Sequence, residues 1–215
     1  MDPLYILKIR LMLESSYRDT RNRNMKQDGR ITLYHSGFQQ IEKPDIYHGR
    51  KNADFGQGFY LSDDEEFARR WAKRRKGEIT YINIYELDLN DLNVLTLKRN
   101  QKWFDYIYAN RSHQKDVYPD ADVIIGSIAN DTIYDTFGIS TSGILKKEEA
   151  LKLLLIGPEY RQIVLKTQKA ADQLIWIGTQ TVTEEETERY KEILKTEQER
   201  FQEEFVALMS EYDHS

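Results

Sequence analysis

Apolar and polar positions change their spacing several times along this chain of 215 residues, and each change marks the edge of an element. Ile31-Thr32-Leu33-Tyr34-His35 is rich in β-formers and stops at Ser36-Gly37, which predicts a short strand. A loop carrying Pro44, Gly49 and Gly56 leads to a second strand at Gly58-Phe59-Tyr60-Leu61. Ser62, followed by Asp63, Asp64 and Glu65, reads as the N-cap and acidic first turn of a helix reaching about Arg75, with Phe67, Ala68, Trp71 and Ala72 on its buried face. Imperfect alternation from Glu78 to Leu89 predicts a central strand, and Leu95 to Leu97 a shorter one. Trp103, Phe104 and Ile107 recur at helical spacing within Asn100 to Asn110. Ala121 to Gly126 reads as a buried strand, Ala129 to Thr136 as a short helix, and Lys146 to Ile156 as a helix stopped by Gly157-Pro158. Gln162 to Leu165 begins another strand, Thr167 caps a turn or short helix after it, and Leu174 to Gly178 is the last strand.

The two ends differ from this middle. Pro3 to about Met25 joins an apolar run to a very polar one and predicts a helix. Thr183 to Met209 is strongly charged, with Tyr190, Ile193, Leu194, Phe201, Phe205 and Val206 forming an interrupted apolar stripe that docks on the domain or on a partner. Short strands interspersed with helices, without a regular βαβ series, define an α+β domain rather than a doubly wound fold. The expected division is a helical extension over 1–30, one domain over 31–178, and a charged amphipathic helix over 183–212.

Composition narrows the chemistry. With 36 acidic against 31 basic residues and a formal charge of −5, a general nucleic-acid binder is not the expectation, although a local basic groove is compatible. The chain has no cysteine, so thiolate and disulfide chemistry are absent. His35, His48, His113 and His214 show no metal-ligand spacing, and no metal site is expected. No run approaches the roughly 18 apolar residues of a membrane span, and the first residues lack a clear signal-peptide pattern. A cytoplasmic protein with no membrane partner is the expectation.

Candidate chemistry concentrates between Leu33 and Trp71, a stretch too polar and too glycine-broken for core packing alone. An imidazole at a strand end, as at His35, holds a ribose hydroxyl or a carboxamide with one nitrogen while the backbone fixes the other, or else is an ordinary hydrogen-bonded sheet histidine. Tyr60 is either a structural strand tyrosine or a stacking surface for a flat heterocycle. Gly56 and Gly58 allow close backbone approach to a ligand, and Arg50 or Lys51 can meet a phosphate. Neither GxGxxG nor a GxxxxGK[ST] loop is present.

Four ordered blocks carry a resemblance: LYHSG at Leu33 to Gly37, DFGQGFYLS at Asp54 to Ser62 with Trp71-Ala72 beyond it, ADVIIGSIANDTIYDTF at Ala121 to Phe137, and QIVLKTQKAADQLIWI at Gln162 to Ile177. Together, over about Ile31 to Gly178, they resemble the ADP-ribosyltransferase superfamily, in particular the small bacterial proteins with a DUF3990 domain. The resemblance implies a split, twisted β-sheet around an NAD cleft with flanking helices. It places His35 at the nicotinamide ribose, Tyr60 over the nicotinamide ring, and Gln162 where many members have a glutamate. Ser36, Gly37, Arg50, Phe55, Gly56 and Gly58 complete the expected NAD-binding set. An amide hydrogen-bonds a hydroxyl but brings no negative charge to an oxocarbenium-like transition state.

Acids able to compensate are Asp131, the better placed acidic helper, and Asp122, with a capping or a turn-anchoring alternative respectively, and Glu159 in the loop before the last block. NAD enters as co-substrate, and the expected activity is mono-ADP-ribosyl transfer to an unknown protein or nucleic-acid acceptor. The alternatives are NAD hydrolysis, a catalytically weak nucleotide-binding module, and a protein-interaction module whose terminal helix binds a partner or a second copy. Tyr106 to Pro119, with Arg111, His113, Gln114 and Lys115, reads as an acceptor-facing or simply solvated loop, and Lys73 to Lys76 as a charged helix end.

Overall fold

The computed structural model describes residues 30–72, 75, 77–130 and 146–212. The helix expected near the amino terminus, nearly all of the one expected over 129–136, and Asp131 lie outside those residues.

The domain is α+β, with two sheets and flanking helices. Strands β1 (Arg30–Gly37), β3 (Tyr81–Asp88) and β7 (Leu174–Thr181) form an antiparallel sheet in the order β1-β3-β7. Strands β2 (Phe59–Leu61), β4 (Val94–Leu97), β5 (Val123–Ser127) and β6 (Arg161–Leu165) form a mixed sheet in the order β2-β6-β5-β4, in which β4 and β5 run parallel. One antiparallel bridge, Tyr34 to Ser62, joins the sheets, its two backbone hydrogen bonds measuring 2.8 and 2.9 Å.

Both faces of the mixed sheet are covered, which explains why its strands read as continuous apolar runs rather than as alternation. Ile124 and Val164 point to a cluster with Phe55, Trp103, Phe104, Ile107 and Leu154. Val123, Ile163 and Leu165 point the other way, to Leu33, Phe59, Leu61, Tyr85 and Leu87, which fill the space between the sheets.

The helices follow their caps. Helix α1 (Glu65–Arg70) begins later than the sequence pattern predicts, because the Ser62 backbone is bridged to Tyr34 and the Asp64 carboxylate accepts the Phe67 N–H at 3.0 Å instead, and it ends earlier, at Arg70 with Trp71 as its C-cap. Helix α2 (Gln101–Arg111) is capped by Asn100, whose Oδ1 accepts from Lys102 N–H at 3.0 Å. It absorbs the first half of the expected 106–119 loop. Helix α3 (Lys147–Leu154) and the short α4 (Gln168–Asp172), capped by Thr167, match their patterns.

Helix α5 (Glu184–Tyr212) docks on its own domain. Tyr190 and Phe201 are buried, and Phe201 packs on Leu153 and Ile156. Glu186 and Glu197 pair with Arg69 and Arg70 of α1 at 3.2 and 3.0 Å. Val206, expected in the same stripe, is exposed, since it turns away from that contact. Among the described residues no helix is long and apolar enough to cross a membrane.

Candidate functional site

The Tyr34–Ser62 bridge brings the end of β1 against β2 and sets the position of His35. Its Nδ1 lies 2.8 Å from the Tyr60 carbonyl oxygen and its ring packs on Phe59, with centroids 4.6 Å apart. A carbonyl only accepts, so Nδ1 carries the proton and Nε2 keeps a lone pair. Burial lowers the imidazole pKa, with the Tyr60 hydrogen bond opposing in part, so the ring is neutral at neutral pH. Nε2 lies on the side of Gly37, where a Cβ would sit 3.4 Å from it.

His35 and Gly37 line a cleft of about 750 Å³. Phe38 and Gln39 continue its wall from the end of β1, while Arg75, Glu78 and Tyr81 close it from the segment entering β3. The lining thus combines a neutral acceptor, aromatic rings, one guanidinium and one carboxylate. Among the described residues no group of three or more His, Asp or Glu side chains is placed to hold a metal ion.

Behind β2, the loop Asp54 to Gly58 is held by a buried polar network. Tyr60 Oη donates to the Gly56 carbonyl at 2.6 Å and accepts the Phe55 N–H at 3.0 Å. Burial, then the Asp54 carboxylate, pushes the Tyr60 phenol well above its usual range, against the Phe55 hydrogen bond and the Arg50 charge. Asp54 Oδ1 accepts from Arg111 Nε at 3.0 Å and Nη2 at 2.7 Å, and its Oδ2 takes the Ala129 N–H at 3.0 Å. Asn110 Nδ2 donates to the Asp54 carbonyl at 3.1 Å. Lys166 donates to the Phe55 carbonyl and pairs with Asp116 at 3.2 Å, and burial lowers its pKa although Asp116 opposes this. Gly56 has a φ of 73°, and a Cβ there would stand 2.9 Å from both Asn110 Oδ1 and Lys166 Nζ, so only glycine fits.

The residues expected at the site are therefore distributed. His35 and Gly37 line the cleft; Ser36 points to the other face of β1 by strand alternation. Phe55 is fully buried against Tyr106, because the Asp54–Arg111 pair draws the loop onto α2, and its ring belongs to the core rather than to a ligand. Gly56 and Gly58 lie in the loop braced by Tyr60, and Arg50 is exposed and does not line the cleft.

Register places Gln162 level with Ser62 and with the His35 end of β1. Two strand spacings, about 10 Å, separate the β1 and β6 backbones there. Gln162 faces the Tyr60 and Val164 side of its sheet, is 6% exposed, and its Nε2 has no hydrogen-bond partner. The cleft thus takes His35 directly, whereas neither Tyr60 nor Gln162 lines it: Tyr60 reaches His35 only through its backbone carbonyl, and its hydroxyl is used on the Phe55–Gly56 loop.

Of the acidic candidates, Asp122 stands at the other end of β5, where it accepts from Asn93 N–H at 2.9 Å and Thr167 Oγ1 at 2.7 Å and pairs with Lys169 at 3.1 Å. Burial raises its pKa, but those bonds and the Lys169 charge outweigh it and hold the carboxyl below its ordinary value. It anchors a turn. Glu159 is at the Gln162 end, where it accepts from the Ser127 hydroxyl. Arg111, expected on a solvent-facing loop, is buried on Asp54, while His113, Gln114 and Lys115 are exposed. The sequence reading missed Phe38, Arg75, Glu78 and Tyr81 as cleft residues; the only local signal was the glycine turn at Gly77 between two charged residues.

A protein-family model described as "Protein of unknown function (DUF3990)" matches residues 31–176, more than half of the chain. No curated protein and no solved structure matches it.

Proposed function

The chain belongs to the DUF3990 family, and from that premise and the geometry of the His35 cleft we propose that it is an NAD-dependent mono-ADP-ribosyltransferase. The observation that carries the reading is a neutral imidazole whose Nδ1 is tied to the Tyr60 carbonyl and whose Nε2 is left as an acceptor beside a cleft of about 750 Å³. That volume lies in the range of small-molecule and cofactor sites. The lining suits a dinucleotide: a ribose hydroxyl donates to His35 Nε2, flat rings lie on Phe38 or Tyr81, and a cation is present for phosphate. The resemblance of Leu33 to Gly37 and of Asp54 to Ser62 to the ADP-ribosyltransferase superfamily supports the same assignment.

In this reading residues 31–178 form the catalytic unit, its two sheets being the halves of the split sheet around the NAD cleft, and α5 is a brace. The bond from ribose C1′ to the nicotinamide nitrogen breaks, its electron pair leaving with nicotinamide. A nucleophile of the acceptor then attacks C1′ and loses its proton. His35 orients the ribose, and the braced Asp54 to Tyr60 segment forms a rigid wall behind it. Gln162 lies outside the lining of the His35 cleft and faces the other side of its sheet, so in this reading it does not grip the substrate.

One observation favours a second reading. Gln162 brings no charge to the growing cation at C1′, and the carboxylate lining the cleft, Glu78, is paired with Arg75. A nucleotide-binding module with little turnover accommodates that better than a fast enzyme.

The test is mass-resolved NAD turnover by purified protein, alone and with host lysate, beside His35→Ala. Nicotinamide released by the wild type only, with one ADP-ribose mass added to a lysate component, is the expected outcome. Nicotinamide release with free ADP-ribose and no adduct assigns hydrolysis. Saturable NAD binding without product moves the assignment to the binding module, and absence of binding removes both.

A further inference from the structure

The segment that closes the cleft opposite β1 carries two charged residues, Arg75 and Glu78, whose division of labour the proposed chemistry does not specify. The Glu78 N–H donates to the Arg75 carbonyl at 3.1 Å and closes a four-residue turn. Gly77 lies within it with a φ of 82°, a left-handed conformation that glycine adopts without penalty. The turn therefore holds Arg75 and Glu78 at its two ends, both at the rim of the cleft.

Arg75 is only loosely engaged. Its guanidinium is 3.8 Å from the Glu78 carboxylate, beyond hydrogen-bond distance, and the two side chains are 66% and 46% exposed. A solvated pair of this kind contributes little. The guanidinium carbon also stands 4.4 Å from the centroid of the Phe38 ring, which forms the opposite wall. Arg75 is the one cation among the described residues lining the cleft, whereas Arg50 and Lys51, the candidates suggested by the sequence, lie outside that lining.

We infer that Arg75 is the diphosphate-binding residue of this cleft, and that Glu78 occupies its guanidinium until a pyrophosphate-bridged nucleotide displaces it. The inference deepens the reading of the cleft as an NAD site and rests on it. A planar guanidinium matches two phosphate oxygens with parallel N–H donors, and charge-assisted pairs of that kind are the strong ones. Phe38 beneath the guanidinium restricts its plane, so less freedom is lost when phosphate arrives. Glu78 acts in the opposite sense twice, by competing for Arg75 and by repelling the incoming anion. The cleft therefore selects nucleotides with a diphosphate over nucleosides that carry the same rings.

The experiment is calorimetric titration of the full chain with NAD, ADP and nicotinamide riboside, for the wild type, Arg75→Gln and Glu78→Gln, with melting curves to establish that the exposed substitutions leave the fold intact. Arg75→Gln is expected to weaken NAD and ADP about 10-fold or more, and Glu78→Gln to tighten both a few-fold, with nicotinamide riboside unchanged by either. Opposite signs from neighbours on one turn are not what loss of a structural contact produces. Arg75-dependent binding of NAD and ADP with no nicotinamide ever released supports the inference and removes the transferase reading. Undiminished NAD binding and turnover by Arg75→Gln overturns the inference and leaves that reading standing. Equal losses for all three ligands overturn it, and failure of the wild type to bind either NAD or ADP overturns both.

Discussion

Asp54→Asn probes the brace beneath the Asp54 to Gly58 loop, and its cost follows from the contacts. The carboxylate receives two N–H groups from Arg111 on Oδ1 and the Ala129 N–H on Oδ2, and the two side chains are 8% and 1% exposed. Asparagine keeps one acceptor oxygen, so its amide must point its own N–H groups at Arg111 or at Ala129, donor against donor. The guanidinium also loses its buried counter-charge. Breaking a buried pair by removing one partner costs about 3–5 kcal/mol, of which an unsatisfied backbone donor accounts for about 1–3 kcal/mol. Against a total stability on the order of 5–15 kcal/mol, this is a large fraction.

Urea unfolding followed by tryptophan fluorescence reads it through the buried Trp103. With a slope of roughly 2–3 kcal/mol per molar, the midpoint falls by more than ~1 M at unchanged slope. Asp54→Leu combined with Arg111→Met removes both members of the buried pair, so no uncompensated charge of that pair is left and the two changes together are expected to cost less than Asp54→Asn alone. A midpoint shift below ~0.3 M for Asp54→Asn, or a double variant as unstable as the single one, refutes the argument that a buried charge pair holds this loop.

Tyr60→Phe keeps the ring but leaves the Phe55 N–H and the Gly56 carbonyl without the hydroxyl, and should cost about 1–3 kcal/mol in denaturant unfolding; wild-type stability shows that the hydroxyl does not brace the loop. For His35 the folded pKa is lowered, so the unfolded chain binds the proton first; its contribution to stability is complete above a pH of about 6.5 and is lost as pH falls towards the folded value. A wild-type stability profile between pH 7 and 5 should therefore fall more steeply than that of His35→Gln, and parallel profiles contradict the assignment. NAD binding through Nε2 should weaken over the same acidification, and tighter binding at low pH excludes His35 as an acceptor. Glu197→Ala removes the acceptor shared by Tyr160 and Arg70 and is expected to cost about 1–2 kcal/mol and to speed limited proteolysis near residues 182–184; an unchanged cleavage rate shows that the Glu197 contacts do not help hold α5.

The local pattern of this chain was sufficient for its α+β class, for the position of nearly every described strand and helix, and for the cap at Thr167. Those features depend on neighbours within a turn or on strand alternation, which the sequence displays directly. What the pattern misplaced depended on distant partners. Ser62 reads as a helix cap until Tyr34 claims its backbone, and the cap then passes to Asp64. Phe55 and Arg111 read as loop residues, yet Arg111 meets Asp54 across 57 positions and the pair carries Phe55 into the core. Arg75 meets Phe38, and Gln162 is buried with an unpartnered amide nitrogen, only through partners distant in sequence. The choice among polar side chains of which are buried, paired or left facing a cleft is made when the two sheets close on each other, because desolvation and pairing are properties of the assembled neighbourhood rather than of a residue and its nearest companions.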